Sequence, residues 1–236
     1  MSISPEVRIV TDIASPAPEL LETLATLDLP TFGHILEEGF ARGIRNIVGG
    51  EKLTVGRVVT VKLIATDSRL VHYVTRLVRP GDFVVIDNGH NTTHASLGGG
   101  VSGALAAAGV VGAAVSGTVT DVVELRESGL AIYATGLAPL TTRSSAAPIQ
   151  GAINVPVSVG GVTVRPGMVA MADENGVLFA ESSVLAALIQ RVRTMMAWEP
   201  PAMAQVRAGT PLSNLILPAD DLEALNALAG AGKESR

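Results

Sequence analysis

The spacing of apolar residues predicts that helices and strands alternate along much of the chain. The first helix is indicated by leucines that recur on one face, at Leu20, Leu21, Leu24 and Leu27. Ser15 is expected to cap this helix, and Thr31 is expected to cap a second short helix. Between Leu53 and Ala65 the apolar residues are mostly β-branched, which predicts a strand.

The middle of the chain repeats a helix–strand unit. Helices are predicted at Ser68–Val78, Leu97–Ala108 and Asp121–Ser128, and strands at Phe83–Asp87, Ala113–Ser116 and Leu130–Ala134. This alternation is typical of parallel strands that are joined by crossover helices. We therefore expect a mixed α/β fold whose central strands are parallel.

The last third of the chain has a different pattern. Two hairpins are predicted, Val155–Val159 with Val162–Val164 around Gly160-Gly161, and Met168–Ala172 with Val177–Ala180. A helix is expected at Ser183–Trp198, ending before Pro200-Pro201, and a final helix at Pro218–Leu228. No linker divides the pattern, so a single domain is expected over residues 1–236.

Composition and charge narrow the classes of protein that this chain can represent. Of its 236 residues 47% are hydrophobic and 17% charged, with no cysteine and a net charge of −5, which excludes a disordered chain and a disulfide scaffold. Without a basic tract, and with only 3% aromatic residues, nucleic-acid binding is not expected. Asn88–Thr120 lacks charged side chains but is too polar for a membrane span. No signal peptide is indicated, so a cytoplasmic protein is expected.

A glycine-rich segment, Gly98–Gly103, is the first candidate for chemistry. It satisfies the G-x-G-x-x-G pattern, but about ten residues separate it from the preceding strand, which disfavours dinucleotide binding. Glycines at a helix start expose backbone N–H groups that suit a carboxylate or phosphate. The alternative is that these glycines only permit close helix packing.

Acidic, imidazole and guanidinium groups supply further candidates. Asp121 and Glu124 can face the same side of a helix start, where they either hold a divalent cation or only favour the helix N-terminus. His90 and His94 have the spacing of a metal pair, but the loop-like sequence between them favours a role as acid or base. Arg143 is expected to hold an anion or to form a surface ion pair. His34 and His72, in predicted helices, are expected to be structural.

Several segments together resemble the RraA-like family, which includes 4-hydroxy-4-methyl-2-oxoglutarate aldolases and a regulator of ribonuclease activity. The resemblance spans about residues 20 to 182, leaving 183–236 as a helical extension. It rests on Arg79-Pro80-Gly81-Asp82, Leu97-Gly98-Gly99, Ser116–Glu124, Asn154–Val157, Gly160–Gly167 and Ala172–Val177.

The resemblance implies a three-layer β/β/α sandwich of the swivelling-domain type, assembled as homotrimers or homohexamers with the ligand site between subunits. It also implies Mg²⁺ or Mn²⁺ bound at Asp121 and Glu124, and a small carboxylate substrate held by the turn at Gly98 and Gly99. Backbone N–H groups of Gly100 and Val101 would grip that substrate.

Position 120 departs from the family pattern. The aldolases carry an arginine there that binds the pyruvyl carboxylate and stabilises the enolate, whereas this chain has Thr120. A hydroxyl cannot replace a bidentate guanidinium. The expected function is therefore a metal-dependent lyase on an oxo or hydroxy acid, with His94 or His90 moving a proton and Arg143 supplying charge. A non-catalytic protein-binding ring and a divergent isomerase or hydrolase are the alternatives.

Overall fold

The computed structural model describes residues 7–144 and 148–231. The chain divides into two compact units, Met1–Ile189 and Gln190–Arg236, which are described separately. The expectation of one domain over residues 1–236 stays a prediction. Within the described residues, no helix combines the length and the apolar character that crossing a membrane requires.

The elements follow the predicted alternation closely. The strands are β1 (Arg8–Ile9), β2 (Arg45–Val48), β3 (Thr54–Leu63), β4 (Asp82–Asp87), β5 (Gly112–Val115), β6 (Thr118–Val119), β7 (Ala131–Ala134), β8 (Gly136–Leu137), β9 (Gly151–Ile153), β10 (Val157–Val159), β11 (Val162–Val164), β12 (Val169–Asp173) and β13 (Gly176–Ala180). The helices are α1 (Pro18–Leu24), α2 (Leu29–Gly33), α3 (Arg69–Val74), α4 (Gly99–Ala107), α5 (Val122–Ser128), α6 (Ser182–Arg207), α7 (Ser213–Ile216) and α8 (Ala219–Ala231).

A twisted mixed sheet forms the centre of the first unit. Its middle strands β3, β4, β5 and β7 are parallel neighbours, as the helix–strand alternation predicted. β2 pairs antiparallel with β7 at one edge. On the other side of β3, its first half pairs antiparallel with β12 and its second half with β9. The hairpins β10–β11 and β12–β13 form as predicted.

Side chains of the central strands alternate between two cores, which defines three layers. Val84 and Ile86 of β4 face one cluster, to which α3, α4 and α5 contribute Val71, Leu105 and Leu125. The intervening Phe83 and Val85 face the second cluster, which includes Val159 of β10 and Phe179 of β13. A β/β/α sandwich results, which confirms the predicted fold class.

Two predicted helix caps are wrong. Ala17, not Ser15, precedes α1, and the Ser15 hydroxyl accepts a hydrogen bond from Arg57 Nη1 at 3.0 Å. Asp28 caps α2, since its Oδ2 accepts from the Thr31 backbone N–H at 3.0 Å and from the Thr31 hydroxyl at 2.8 Å. In both cases the residue predicted as the cap is instead hydrogen-bonded to another side chain, Ser15 to Arg57 and Thr31 to Asp28.

The prediction that Pro200-Pro201 ends a helix is also wrong. α6 continues through both prolines to Arg207. Proline fixes φ near −65°, which suits a helix, and its costs are a missing N–H donor and a clash with the preceding turn. The pair therefore removes two donors from the helix without ending it.

Candidate functional site

Two extended segments lie side by side at the carboxyl ends of the central parallel strands and build the candidate site. The Ser96 backbone N–H donates to the Thr118 carbonyl at 3.2 Å, and the Thr120 N–H donates to the Leu97 carbonyl at 3.1 Å. This pairing sets the start of α4 against the start of α5. Residues that are 22 positions apart in the chain, Gly99 and Asp121, thereby come into contact.

The carboxylate of Asp121 lies at the start of α4 rather than on its own helix. Its Oδ2 accepts from the Gly99 backbone N–H at 2.9 Å, and its Oδ1 accepts from the Thr120 hydroxyl at 3.2 Å. The backbone of Asp121 is left-handed, with φ of 58°. Although Asp121 directly precedes α5, its side chain makes no capping hydrogen bond there. It is therefore directed towards the glycine-rich turn.

Two of the glycines in this turn are required by close packing. A Cβ atom at position 98 would lie 2.6 Å from Asp121 Oδ2, and one at position 99 would lie 2.6 Å from Glu124 Cβ. Gly100, by contrast, faces open space. The two explanations offered for the glycines thus apply to different positions: Gly98 and Gly99 permit packing, and Gly100 leaves the helix start accessible.

A cleft of about 450 Å³ opens beside this turn. Its lining is rich in hydroxyl groups and comprises Ser68, His72, Thr75, Ala95, Ser96, Leu97, Gly98, Gly100, Val101, Ala104, Thr120, Asp121, Thr141 and Thr142. Ser96 is only 4% exposed, and its hydroxyl has no hydrogen-bond partner among the described residues. The cleft thus presents an unsatisfied polar group together with a carboxylate.

His72 lines the cleft, although the sequence led us to expect a structural role for it. It lies on α3 between Ser68 and Thr75, which also line the cleft, while Leu70, Val71 and Val74 of the same helix are buried in the core. A polar stripe opposite the apolar stripe was the signal that could have identified it.

The structure does not bring His90, His94 or Arg143 to the cleft lining. His90 is exposed in a loop with φ of 56°, so this pair lacks the helical geometry that i, i+4 metal ligands need. His94 is half-buried, and Arg143 is exposed and lies next to the lining residues Thr141 and Thr142. The roles expected of these three side chains stay predictions.

The acids that could hold a cation are few. Among residues 7–144 and 148–231, no group of three or more His, Asp or Glu side chains is arranged to hold a metal ion. Asp121 and Glu124 are both exposed, and each oxygen of Asp121 accepts one hydrogen bond, which leaves lone pairs free. This donor set fits Mg²⁺ or Mn²⁺ with most of its ligands supplied by water and substrate, and it does not fit an all-protein cage.

An ion pair stands at the edge of the cleft, on either side of Ser68. Arg69 donates to Asp67 from its side chain and from its backbone N–H, the latter at 3.0 Å. The side-chain hydrogen bond from Arg69 lowers the pKa of the Asp67 carboxyl below its usual value, against the opposing effect of burial. The pair fixes the start of α3, which carries His72.

Comparison with known proteins connects this geometry to a family. Residues 22–179 match the RraA-like family model, described as Aldolase/RraA. A Thermus thermophilus protein named 4-hydroxy-4-methyl-2-oxoglutarate aldolase is 35% identical over 130 residues, covering 55% of this chain and 77% of that protein. The solved RNA-processing inhibitor RraA from Thermus thermophilus superposes with a TM-score of 0.57 at 28% identity, covering 64% of this chain and 91% of that one.

A second solved structure resembles the chain in fold alone. Streptomyces coelicolor RraAS2, an unusual member of the RNase ES inhibitor RraA family, superposes with a TM-score of 0.69 at 23% identity. The match covers 80% of this chain and 97% of that one. A protein named as an aldolase is therefore among the sequence relatives, and one named as an RNA-processing inhibitor is among the similar structures.

Proposed function

The chain belongs to the RraA-like family, and we propose that it is a carbon–carbon lyase that cleaves a small oxo or hydroxy dicarboxylic acid with the help of Mg²⁺ or Mn²⁺. The observation that carries the proposal is the Asp121 carboxylate, held at 2.9 Å from the Gly99 N–H at the mouth of a polar cleft. The name of the Thermus relative supplies the substrate class: 4-hydroxy-4-methyl-2-oxoglutarate, whose cleavage yields two molecules of pyruvate.

The start of α4 supplies a site for the substrate carboxylate. In the described residues, the backbone N–H groups of Gly100 and Val101 have no hydrogen-bond partner, and both residues line the cleft. Unsatisfied donors at a helix N-terminus favour an anion. The pyruvyl carboxylate would bind there, beside the open space at Gly100.

Asp121 and Glu124 are the residues that would hold the cation. When bound, such an ion polarises the substrate carbonyl as a Lewis acid. The protein itself holds the Asp121 carboxylate in place. The Gly99 N–H and the Thr120 hydroxyl each donate a hydrogen bond to one of its two oxygens.

Cleavage also needs a proton to leave the substrate hydroxyl and a proton to reach the pyruvate carbon. His72 is the histidine that lines the cleft, so we assign it the proton transfer that the sequence had suggested for His90 or His94. The Ser96 hydroxyl, without a protein partner among the described residues, would bind a polar group of the substrate.

Thr120 is expected to make the reaction slow. Loss of a cation that stabilises an enolate costs about 3–4 kcal/mol of barrier, or roughly 10²–10³ in rate. Thr120 lines the cleft, so an arginine introduced there would reach the substrate site. Thr120→Arg is therefore expected to raise kcat by up to about two orders of magnitude.

The direct test measures pyruvate released from 4-hydroxy-4-methyl-2-oxoglutarate and from oxaloacetate, with Mg²⁺ or Mn²⁺ and with a chelator. Asp121→Asn should lower kcat/KM at least about 100-fold and weaken Mn²⁺ binding, because the variant keeps the shape of the side chain but loses its charge. Glu127→Gln, an exposed acid on the same helix, is the matched control and should leave both unchanged. No release of pyruvate by the wild-type protein with either metal would overturn the proposal.

Thr120 also favours a second candidate, a non-catalytic protein-binding ring. Among the described residues, no lysine or arginine lines the cleft, and the Thermus RraA neighbour is named an RNA-processing inhibitor. If this candidate is correct, the protein will slow cleavage of an RNA by a purified ribonuclease, and Asp121→Asn will do so equally well. Inhibition without any pyruvate release would favour the ring over the lyase.

A further inference from the structure

A second cavity, of about 310 Å³, lies at the opposite end of the central strands from the cleft. Its lining includes Arg57, from the first half of β3, and Arg76 and Arg79, from the segment that follows α3. Its remaining lining is Thr11, Ile13, Val59, Leu77, Val78 and Asn154. Three arginine residues thus contribute to the lining of one small space.

One of these arginines is buried and fixed. Arg57 is 7% exposed, and its Nε and Nη2 donate to the two oxygens of Asp82 at 2.8 and 3.0 Å. Its Nη1 donates to the Ser15 hydroxyl at 3.0 Å. The Arg79 backbone N–H also donates to Asp82, at 2.7 Å. Asp82 therefore neutralises Arg57 and fixes the loop that carries Arg79.

The other two arginines are left without a counter-charge. Over residues 7–144 and 148–231, neither the Arg76 nor the Arg79 guanidinium takes part in an ion pair or a hydrogen bond. Asp82, the acid that contacts this group, already pairs with Arg57. Two exposed arginines without a counter-charge thus line the same cavity as the buried Arg57.

We propose that this cavity binds a small oxyanion of the phosphate class, either free inorganic phosphate or the terminal phosphate of a short phosphomonoester. The planar fork of arginine donors matches phosphate oxygens bidentately, which a single ammonium group does not. A cavity of about 310 Å³ is larger than one phosphate requires, so it has room for a short ester chain.

Part of the cavity wall is held in place before any ligand binds. Asn154 Nδ2 donates to the Val10 carbonyl at 2.8 Å, which ties the N-terminal segment to the chain that follows β9. Thr11 is the next residue along that segment and adds a hydroxyl to the lining. This part of the site needs no ordering when a ligand binds.

A purely structural role explains only part of this arrangement. α3 ends at Val74, and a cation near a helix C-terminus is stabilising by about 0.3–1 kcal/mol. That effect suits Arg76, but it does not explain why Arg79 and the buried Arg57 face the same space. Convergence on a cavity distinguishes an anion site from a favourable helix end.

Isothermal titration with inorganic phosphate tests the proposal, at constant ionic strength and without divalent cations. Arg76→Gln/Arg79→Gln should weaken phosphate binding at least about tenfold, since charge-assisted contacts are lost. Arg45→Gln is the matched control, because Arg45 is exposed on β2 at the far edge of the sheet. Parallel titrations with glycerol phosphate distinguish a free ion from a phosphomonoester: tighter binding of the ester identifies the latter.

Two outcomes would overturn the inference. One is that the wild-type protein does not bind phosphate or glycerol phosphate at millimolar concentrations. The other is that the double variant, shown to be folded by circular dichroism, binds phosphate as well as the wild type does. Saturating pyruvate should not displace phosphate, because the cleft is a separate site. The lyase assay is independent of all these measurements, so failure here leaves the proposed reaction untouched.

Discussion

Gly98 shows how one missing Cβ atom positions a carboxylate. An alanine there would place its Cβ 2.6 Å from Asp121 Oδ2 and 2.9 Å from Thr120 Cγ2, so both side chains must move. Gly98→Ala should therefore destabilise the protein by about 1–3 kcal/mol, as overpacking does. Urea unfolding followed by circular dichroism measures the change.

Gly103 provides the matched control in the same helix. It is exposed, and nothing lies within 4 Å of a Cβ atom built at that position. Gly103→Ala should be neutral or stabilising by about 0.5–1 kcal/mol, because alanine lowers the entropy cost of helix formation. Equal effects of the two substitutions would show that contact with Asp121 is not what requires glycine at position 98.

The lowered pKa of Asp67 predicts that the stability of the protein depends on pH. Its pKa is lowered in the folded protein, chiefly by the side-chain hydrogen bond from Arg69. The stability that this carboxylate contributes is therefore present above its ordinary pKa of 3.8 and is lost as the pH falls through the lower folded value. Asp67→Asn should be less stable than the wild type at pH 7, and the difference should shrink in strong acid.

Unfolding free energies measured from pH 7 down to the acid limb test this sign. Arg69→Gln removes the main cause of the shift and should flatten most of the same pH dependence. A difference between Asp67→Asn and the wild type that grows as the pH falls would contradict the assignment.

At the scale of elements, a buried ion pair between Arg57 and Asp82, here called the β3–β4 tie, joins the starts of β3 and β4. Asp82 is 2% exposed and holds both guanidinium contacts of Arg57. Asp82→Asn would leave Arg57 buried without its counter-charge, at a cost of about 3–5 kcal/mol. Chemical denaturation in phosphate-free buffer measures this loss.

The Arg165–Glu181 pair is the natural comparison, since both side chains are about half exposed. Glu181→Gln should cost about 1 kcal/mol or less, because solvent screens an exposed pair. Similar costs for the two substitutions would mean that burial does not set the value of the β3–β4 tie.

Elements with a long and regular apolar pattern were predictable from the sequence. β3, β4 and both hairpins form where the β-branched runs and Gly160-Gly161 placed them. β2 was missed because its four residues include the polar Arg45 and Asn46 and do not alternate, and its pairing with β7 is interrupted by a register shift between Asn46 and Val48. The two helix-cap predictions were wrong because capping depends on hydrogen bonds that the local sequence pattern does not reveal.

The candidate site was predictable only in part. The glycine turn and Asp121 could be placed together from the family resemblance, and the structure joins them by one hydrogen bond. His72 was expected to be structural because the polar stripe of α3 that it shares with Ser68 and Thr75 was not considered. The arginine cavity was invisible, since Arg57 lies 19 residues before Arg76 and only the fold brings them together.

For the whole molecule, exposed apolar side chains next to the cleft are where we expect the subunits of the proposed trimer or hexamer to meet. Val123 of α5 is 61% exposed, and Leu137 of β8, which pairs with β6 just before Thr120, is 55% exposed. Sedimentation should give three or six times the chain mass, and Val123→Glu/Leu137→Glu should shift it to the monomer, because buried charge opposes association.

Leu228→Glu is the control, because this α8 leucine is also exposed and belongs to the second unit. It should not change the sedimentation of the assembly. A wild-type protein that sediments as a monomer at micromolar concentration would refute the ring-shaped assembly.

Because Asp121 contacts both Gly98 and Gly99, substitutions at these three positions are expected to depend on one another during evolution. A chain that gains alanine at 98 must first lose or redirect the Asp121 side chain, whereas one that gains alanine at 99 must first move Glu124 away. Substitution at these sites should therefore be stepwise, with the acidic residue changing before the glycine that it contacts. If the proposed chemistry is correct, relatives that have lost it are expected to carry larger residues in the turn, so the residues at 98 and 99 would indicate whether the carboxylate is still in use.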